Sequence, residues 1–463
     1  VNGAIQTVYN KAGAKLPTVS TGTTINNSTD AIMCKSTIVG PDDNGIYQTM
    51  SVLKVGSGGA MSAAVTEPLD VFGRVRISEA FTMFSSSFLT TTQVFDWDQL
   101  LTGGGTAGYV TGFPWITMSV SSSGDRVIRQ QHGYNVYIPG KSQLAIITGT
   151  LLQNPTTTNV RARIGYFDDL NDKNATYETN PTGDGFFFQC IGGSTPAYSV
   201  VYRSSTSATI PPTTPSQTDY VINQANWNVD TLDGNGPSGI TIDFSKRQIF
   251  IVNFEWLGVG DVALGIFYNF KPLVCHVFKF VNGQYAPNQS TVAYTSRGSL
   301  PIRYELQATG TPSTTAYMRQ VCSTCVSEGG YAPFGLSYSF RNLTSKGTNT
   351  TGVPMMTIRL NATNTATMRP RVLLKITNIN LLNTGNANIA YAIYLLKNVT
   401  TEPLTGAVWV NSNGNAELTG SAAEYDITAT AVSFTSQTYR CVKAGYIPNN
   451  SSELNAMFAD PLV

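Results

Sequence analysis

Apolar residues alternate with other residues along most of the chain, and this period of two constrains the fold more than any other feature. Between positions 249 and 256, one face of an extended chain carries Phe250, Val252, Phe254 and Trp256. Successive side chains of a β-strand point to opposite faces of a sheet, whereas a helix repeats about every 3.6 residues. The segment therefore predicts a central strand.

The same alternation recurs further along the chain. Met356, Ile358 and Leu360 share one face of a second segment, and residues 391–396 alternate in the same way. Clusters of proline and glycine separate these runs at short intervals. This arrangement is typical of β-sandwiches and barrels. The predicted fold class is all-β, with a jelly-roll or lectin-like β-sandwich as the main domain.

Helical signals are weak by comparison. No amphipathic segment is long enough to predict a helix of more than three turns. Short helical turns are predicted from Trp97 to Leu100 and from Gln224 to Asp230. These turns would connect strands rather than form a helical layer.

Changes in composition divide the chain into three predicted parts. Residues 1–65 are rich in Thr, Gly, Ser and Asn, with a glycine-rich joint after Val55, and predict an extended N-terminal arm or small attachment subdomain. Residues 66–330 contain more aromatic residues and longer strands, and predict the main β-sandwich. Residues 331–463 alternate short strands with Asn/Thr/Gly turns, and predict a second, C-terminal β-sandwich.

Charge is scarce and balanced. Charged residues are 12% of the chain, and 29 basic side chains nearly cancel 28 acidic ones. A formal charge of +1 provides no overall field to attract a polyanion, which disfavours nucleic acid and anionic membranes as partners. The sequence contains no run of 18 apolar residues, so it does not predict a membrane-spanning helix. The polar, uncharged surface residues suit an extracellular or virion surface.

Motifs for catalysis or cofactor binding are absent from the sequence. Only two histidines occur, His132 and His276, and neither belongs to a Ser-His-Asp pattern; a nucleophile elbow and a phosphate-binding loop are also missing. Each histidine is predicted to be a structural imidazole. We therefore expect a protein that is not an enzyme and has no catalytic, cofactor-binding or metal-binding residues.

The cysteines offer one alternative to that expectation. Cys322 and Cys325 form a CxxC motif, for which Cys275 and His276 are candidate further ligands of a zinc or redox site. However, the sequence from Ala316 to Val326 alternates like a strand, and residues three apart in a strand point to opposite faces. Free, mostly buried thiols are the favoured prediction.

Two oxygen-rich loops are candidate calcium sites. One runs from Asp168 to Asn174 and the other from Asp230 to Gly236. Calcium requires six or more converging oxygens, which such loops supply in part. Neither loop has the spacing of an EF-hand, and Asx-rich turns are commonly simple hairpin connections. The sequence leaves both interpretations open and favours the turns.

A glycan-cleaving enzyme would need two carboxyl groups on either side of a sugar bond. Glu255 and Glu305 are the strand-borne glutamates with aromatic neighbours. Arg303 and Glu305 are two residues apart and share one strand face, so the favoured prediction is an ion pair on that face.

Two pairs of arginines are spaced in the same way. Arg74 and Arg76 form one pair, and Arg161 and Arg163 form the other. An unpaired buried charge is costly, so each row is predicted either to meet carboxylates or to face a neighbouring subunit. These residues are the first candidates for an oligomer interface.

Seven blocks of sequence carry a resemblance to a known family. They run from Leu69 to Ser78, Pro139 to Gln143, Arg163 to Asp168, Gly236 to Thr241, Glu255 to Gly260, Leu300 to Glu305 and Ser327 to Tyr331. In this order the blocks resemble virion structural proteins of tailed phages, especially marine phages, and of some large DNA viruses. The resemblance implies a β-rich virion component, such as a fibre, decoration or tail-associated protein, and it provides no enzymatic residues.

The predicted function is that of a non-enzymatic virion structural protein on the particle surface, on the capsid or the tail. We expect a homo-oligomer, with a trimer favoured, that is attached to other virion proteins through residues 1–65. The alternative is a carbohydrate-binding protein that recognises a host surface glycan through Tyr and Trp in loops such as that from Gly108 to Trp115. A lesser alternative is a glycan depolymerase that uses Glu255 or Glu305.

Overall fold

The computed structural model describes most of the chain after residue 78 and little before it. The described residues are 54–55, 61–62, 79–89, 91–169, 183–206, 218–269, 271–281, 293–330, 338–339, 342, 345–347, 352–360, 374–397, 404–410, 423–434, 438–449 and 452–462. The chain divides into two units, Val1–Ile77 and Ser78–Val463. The boundaries predicted at residues 65 and 330, and the N-terminal arm, stay predictions.

The described part of the first unit is a pair of short antiparallel strands. Strand β1 (Lys54–Val55) pairs with β2 (Met61–Ser62), and Lys54 lies opposite Ser62. The predicted joint from Gly56 to Gly59 lies outside the described residues.

The second unit contains two large antiparallel sheets up to residue 330. Their strands are β3 (Ala80–Ser87), β4 (Trp97–Thr102), β5 (Thr106–Tyr109), β6 (Ile116–Val120), β7 (Arg126–Gln131), β8 (Ser142–Thr150), β9 (Val160–Phe167), β10 (Gly185–Gly192), β11 (Ala197–Ser204), β12 (Thr218–Asn223), β13 (Gln248–Phe254), β14 (Val262–Tyr268), β15 (Lys271–Phe278), β16 (Ile302–Ala308) and β17 (Ala316–Glu328). One sheet has seven strands in the order β12-β11-β10-β9-β16-β7-β4. The other has eight, with β15-β14-β13-β8-β17-β6-β5 in sequence and β3 paired to β17.

The core lies between these two sheets. Tyr166 of β9 meets Phe254 of β13 with ring centroids 5.6 Å apart, and Phe188 of β10 meets Phe250 of β13 at 5.0 Å. All four side chains are buried. Burying an aromatic or aliphatic side chain of this size contributes about 1.5–3 kcal/mol relative to leaving it exposed. The predicted all-β fold, with a sandwich as its main part, is confirmed.

Strand predictions made from the period of two hold closely. Strand β13 lies between β14 and β8, with Phe250, Val252 and Phe254 in the core, as expected of a central strand. It ends at Phe254, so Glu255 follows the strand rather than lying within it. Strand β17 runs unbroken from Ala316 to Glu328, with a bulge in its pairing to β8.

One of the two predicted helical turns is wrong. The segment Trp97–Thr102 is strand β4, which pairs with β7 along its whole length because Trp97 fills a position in the core between the sheets. The other turn is confirmed in part as a single 3₁₀ turn at Gln224–Asn226. No helix within the described ranges has the length and hydropathy that a membrane crossing requires.

The described C-terminal residues form pairs of antiparallel strands. Their bounds are β18 (Thr357–Leu360), β19 (Ile376–Asn383), β20 (Ile389–Lys397), β21 (Leu404–Thr405), β22 (Ala423–Asp426), β23 (Ala431–Val432), β24 (Thr438–Ile447) and β25 (Ser452–Leu462). Strand β18 pairs with β22, β19 with β25, β20 with β24 and β21 with β23. The strands predicted near Ile358 and from Tyr391 to Leu396 are both present.

Candidate ligand-binding surface

The loop between β5 and β6 presents two aromatic side chains. The amide of Phe113 donates to the carbonyl of Val110 at 3.0 Å, which closes a turn in which Gly112 has a φ of +86°. Such a turn needs a residue that tolerates positive φ at its third position, and glycine does so without strain. The amide of Trp115 then donates to the carbonyl of Phe113 at 2.9 Å, around Pro114. These two turns fix the loop.

The two rings held by this loop stack on each other. The ring centroids of Phe113 and Trp115 are 4.5 Å apart, with an angle of 28° between the planes. Phe113 is 48% exposed. An exposed, ordered pair of aromatic rings on a folded surface is a common mark of a binding site. The sequence prediction singled out this loop as the candidate sugar-binding loop.

Two arginines reach the Trp115 indole, one from strand β17 and one from the residue that precedes β13. The guanidinium carbon of Arg247 lies 4.8 Å from the ring centroid, and that of Arg319 lies 5.5 Å from it. Both distances are within the range of cation–π interactions. We call Phe113, Trp115, Arg247 and Arg319 together the Trp115 surface.

Strand pairing explains why these residues meet. Thr150 of β8 pairs with Arg319 of β17, and Arg319 pairs in turn with Thr117 of β6. Arg247 directly precedes β13, whose first residue pairs with Gly149, the neighbour of Thr150. The two arginines therefore lie on either side of the same end of β8, and their long side chains converge on the ring that precedes β6.

Arg319 is held by neutral groups. Arg319 donates through Nη2 to Oε1 of Gln153 at 3.1 Å and through Nη1 to the hydroxyl of Thr117. Burial, followed by the positive charge of Arg247, lowers the pKa of Arg319. Arg247 is exposed, and neither arginine forms an ion pair with a carboxylate among the described residues. The Trp115 surface thus holds two positive charges without a described counter-charge.

A second arginine–tryptophan contact shows the contrast. The guanidinium carbon of Arg359 lies 3.6 Å from the ring centroid of Trp409, but its Nε also donates to Oε1 of Glu424 at 2.5 Å. There, the charge is neutralised within the protein. At Trp115, in addition, the indole Nε1 is shielded from water and has no acceptor among the described residues.

The candidate acid Glu305 lies elsewhere, on the outer face of the seven-stranded sheet. Its carboxylate meets Nη2 of Arg126 at 2.9 Å, Nη2 of Arg303 at 3.0 Å and Nη1 of Arg163 at 3.5 Å. Arg203 donates to Asp219 in the same layer at 2.9 and 3.0 Å. We call these residues the Glu305 network. The predicted ion pair between Arg303 and Glu305 is confirmed.

Burial and charge act in opposite directions on Glu305. Burial alone would raise its pKa, but the charges of Arg126, Arg303 and Arg163 outweigh that effect and hold the pKa well below its usual value. A general acid in glycoside cleavage needs a raised pKa so that it carries a proton near neutral pH. Glu305 has the opposite property.

Arg163 meets carboxylates, which is the first of the two outcomes predicted for the arginine rows. That side chain is buried, and its charge is taken up by Glu305 and by Asp219, whose Oδ2 lies 3.8 Å away. The oligomer interface stays a prediction. Arg161 bonds Gln307 at 2.5 Å, whereas Arg74 and Arg76 lie outside the described residues.

Glu255 and the histidines occupy separate places. Glu255 is exposed just after β13. His132 is also exposed, with Nδ1 2.9 Å from Oδ1 of Asp98. His276 is buried in β15, where its Nδ1 accepts the amide of Asn228 at 3.3 Å, and burial lowers its pKa to about 4. The structure does not gather these groups into one site.

The cysteines do not form a chelating group. Cys325 is in the core and Cys322 is not, so the two point to opposite faces of β17, as predicted. Burial raises the pKa of Cys325 to about 12 and also raises that of Cys275. The five described cysteines are free thiols, and Cys34 lies outside the described residues. No group of His, Cys, Asp and Glu side chains in the described ranges is arranged to hold a metal ion.

The acidic loops bond to the protein itself. Asp168 is buried, accepts the hydroxyl of Tyr134 at 2.8 Å and lies 3.2 Å from Nη1 of Arg297. Asn171 and Asn174 lie outside the described residues. In the other loop, Asp230 accepts the amide of Leu232 at 2.9 Å, as in a hairpin connection. This contact supports the turn interpretation of that loop.

The chain was compared with family models, curated proteins and solved structures. No family model and no curated protein matches the chain. Among solved structures it is similar to a legume lectin-like domain from Entamoeba histolytica, at 11% identity over 51% of this chain and 92% of that one, with a TM-score of 0.29. It is similar to arcelin-5, a lectin-like defense protein from Phaseolus vulgaris, at 8% identity over 53% and 99%, with a TM-score of 0.30.

A protein of unknown function from Shewanella oneidensis MR-1 is similar at 8% identity over 57% of this chain and 92% of that one, with a TM-score of 0.32. Similarity at this level identifies neither a family nor a ligand for this chain.

Proposed function

We propose that the protein is a non-enzymatic carbohydrate-binding protein and that the Trp115 surface is its sugar-binding site. The observation that carries the proposal is the stack of the exposed Phe113 ring on the half-buried Trp115 ring. A sugar ring has a face of C–H groups that packs on an aromatic ring and an edge of hydroxyls that needs hydrogen-bonding partners. Binding sites combine such apolar surface with a few well-placed polar groups.

The surroundings of the stack provide those polar groups. Thr117 and Gln153 lie beside Arg319 and bond to its guanidinium. Two backbone turns fix the loop before any ligand arrives, so binding requires little additional ordering. The low pKa of Glu305 argues against glycan cleavage at that residue, and it therefore favours a binding protein over a glycan-cleaving enzyme.

Glycan-array binding tests this function. We expect Trp115→Ala and Phe113→Ala each to weaken binding roughly tenfold or more, because a central aromatic contact carries much of the energy of an interface. Tyr446→Ala is the matched control, since it removes an aromatic ring that is 77% exposed on β24 and is not part of the Trp115 surface. Binding that survives in the double variant Phe113→Ala/Trp115→Ala, or no binding of any glycan by the native protein, would refute the proposal.

We also propose that the protein carries this site on a virion, as a homo-oligomer. The support for this proposal is the resemblance of seven blocks of the sequence to virion structural proteins. Light scattering should give the mass of a trimer or larger ring, and the protein should co-purify with particles. A monomer that never accompanies particles would contradict it.

A further inference from the structure

We infer that the Trp115 surface selects glycans that carry an acidic group, either a carboxylate or a sulfate. This inference rests on the proposed function and adds the chemical class of its ligand. It is carried by the juxtaposition of Arg247 and Arg319 on one indole, 4.8 and 5.5 Å from its centre.

Arg247 and Arg319 have no counter-charge among the described residues. In a chain with 12% charged residues, the arginines of the Glu305 network and Arg359 meet carboxylates. Arg129 has only neutral hydrogen-bond partners in the described part of the chain, but it is buried in the fold at 2% exposure, where a ligand does not reach it. Arg247 and Arg319 meet no carboxylate among the described residues, although each places its charge near the other. Two cations held together by neutral partners repel each other until an anion binds between or beside them.

The second step is the geometry of the donors. Gln153 and Thr117 orient the Arg319 guanidinium without neutralising it. A planar guanidinium matches the paired oxygens of a carboxylate or sulfate, and hydrogen bonds to ionised groups are stronger than neutral ones.

The third step distinguishes a glycan from a nucleic acid. A nucleic-acid surface neutralises several phosphates along a basic stripe. Here the chain has a formal charge of only +1, and the partners of Arg319 are a hydroxyl and an amide. Two arginines beside one aromatic stack fit a single acidic group on an otherwise neutral sugar.

Calorimetric titration with matched oligosaccharides tests the inference. One pair of ligands differs only by a sulfate, and a second pair only by a carboxylate. We expect the native protein to favour at least one acidic member by about tenfold or more. The double variant Arg247→Gln/Arg319→Gln should lose this preference and bind the acidic and neutral members of the pair with affinities within about twofold of each other.

A charge-matched control separates local contact from overall charge. Lys246→Gln/Lys271→Gln removes two positive charges from exposed positions outside the surface and should change the preference by less than about twofold. Preference in one ligand pair only still supports the inference and identifies the acidic group.

Three outcomes would overturn it. Equal binding of acidic and neutral sugars, with loss of both in Trp115→Ala, leaves the proposed function standing and removes this inference alone. Absence of binding to every sugar removes both. Tighter binding of a single-stranded oligonucleotide, with a steep salt dependence that the double arginine variant abolishes, assigns the surface to nucleic acid instead.

Discussion

Two groups of arginines in the described sheets differ in what neutralises their charge. In the Glu305 network, Arg126, Arg163 and Arg303 are buried against one carboxylate. On the Trp115 surface, Arg247 and Arg319 contact an aromatic ring and neutral side chains. The first arrangement is complete within the fold, whereas the second has no described counter-charge, and we propose that a ligand completes it. The same side chain therefore serves structure in one place and recognition in the other.

The largest effect should come from breaking the network at its centre. Glu305→Gln removes the charge that three arginines share, and leaving buried charges uncompensated costs about 3–5 kcal/mol. We expect the midpoint of thermal unfolding to fall by roughly 10 °C, measured by differential scanning calorimetry.

The control for this variant is Glu255→Gln, which makes the same chemical change at an exposed position. Its stability should stay within about 0.5 kcal/mol of the native value. Equal stability of the two variants would show that the network does not hold the sheet together.

Lowering the pH should destabilise the fold through its buried titratable groups, beginning with His276. The pKa of His276 is about 4 in the folded protein and about 6.5 in the unfolded chain, so the unfolded chain binds more protons between these values. The contribution of neutral His276 to the free energy of unfolding is fully present above pH 6.5. It is lost as the pH falls toward 4, by up to about 3 kcal/mol. Below that range Glu305 adds a loss of the same sign, because its folded pKa is lowered.

Urea unfolding at a series of pH values checks this prediction. In His276→Asn, the side-chain oxygen can still accept the amide of Asn228, but no imidazole is left to titrate. The loss of stability between pH 6.5 and 4 should shrink in this variant. An unchanged pH dependence would assign the acid sensitivity to other groups.

The smallest effect on stability is expected at the Trp115 surface. Arg319→Gln removes a half-buried cation whose neutral partners remain accessible to water, so the free energy of unfolding should change by less than about 1 kcal/mol. Urea unfolding measures this change. A loss as large as that of Glu305→Gln would erase the contrast between the two groups of arginines.

Most of the fold could be predicted because its signal is local. A period of two places Phe250, Val252 and Phe254 on one face whatever strands lie beside them, and the same rule pairs Arg303 with Glu305. The short strand at Trp97 was missed because its identity depends on pairing with β7, which is distant in sequence. Local propensity gives way to tertiary pairing at such places.

Only half of the candidate site could be predicted from the sequence. The aromatic loop from Gly108 to Trp115 is contiguous and was singled out from its residues. Arg247 and Arg319 were not, because they reach Trp115 from two other strands of the sheet and no spacing in the sequence links them. The burial of Arg163 could not be predicted for the same reason, since its partners Glu305 and Asp219 lie on other strands.

Fluorine NMR of protein labelled with 5-fluorotryptophan tests the central claim most directly. The chain has five tryptophans, so five resonances are expected, and Trp115→Phe identifies the one of interest. On addition of an acidic oligosaccharide, the Trp115 resonance should shift in proportion to occupancy, while those of the buried Trp97 and Trp227 stay in place. A glycan that binds without moving the Trp115 resonance would contradict the assignment of this surface as the binding site.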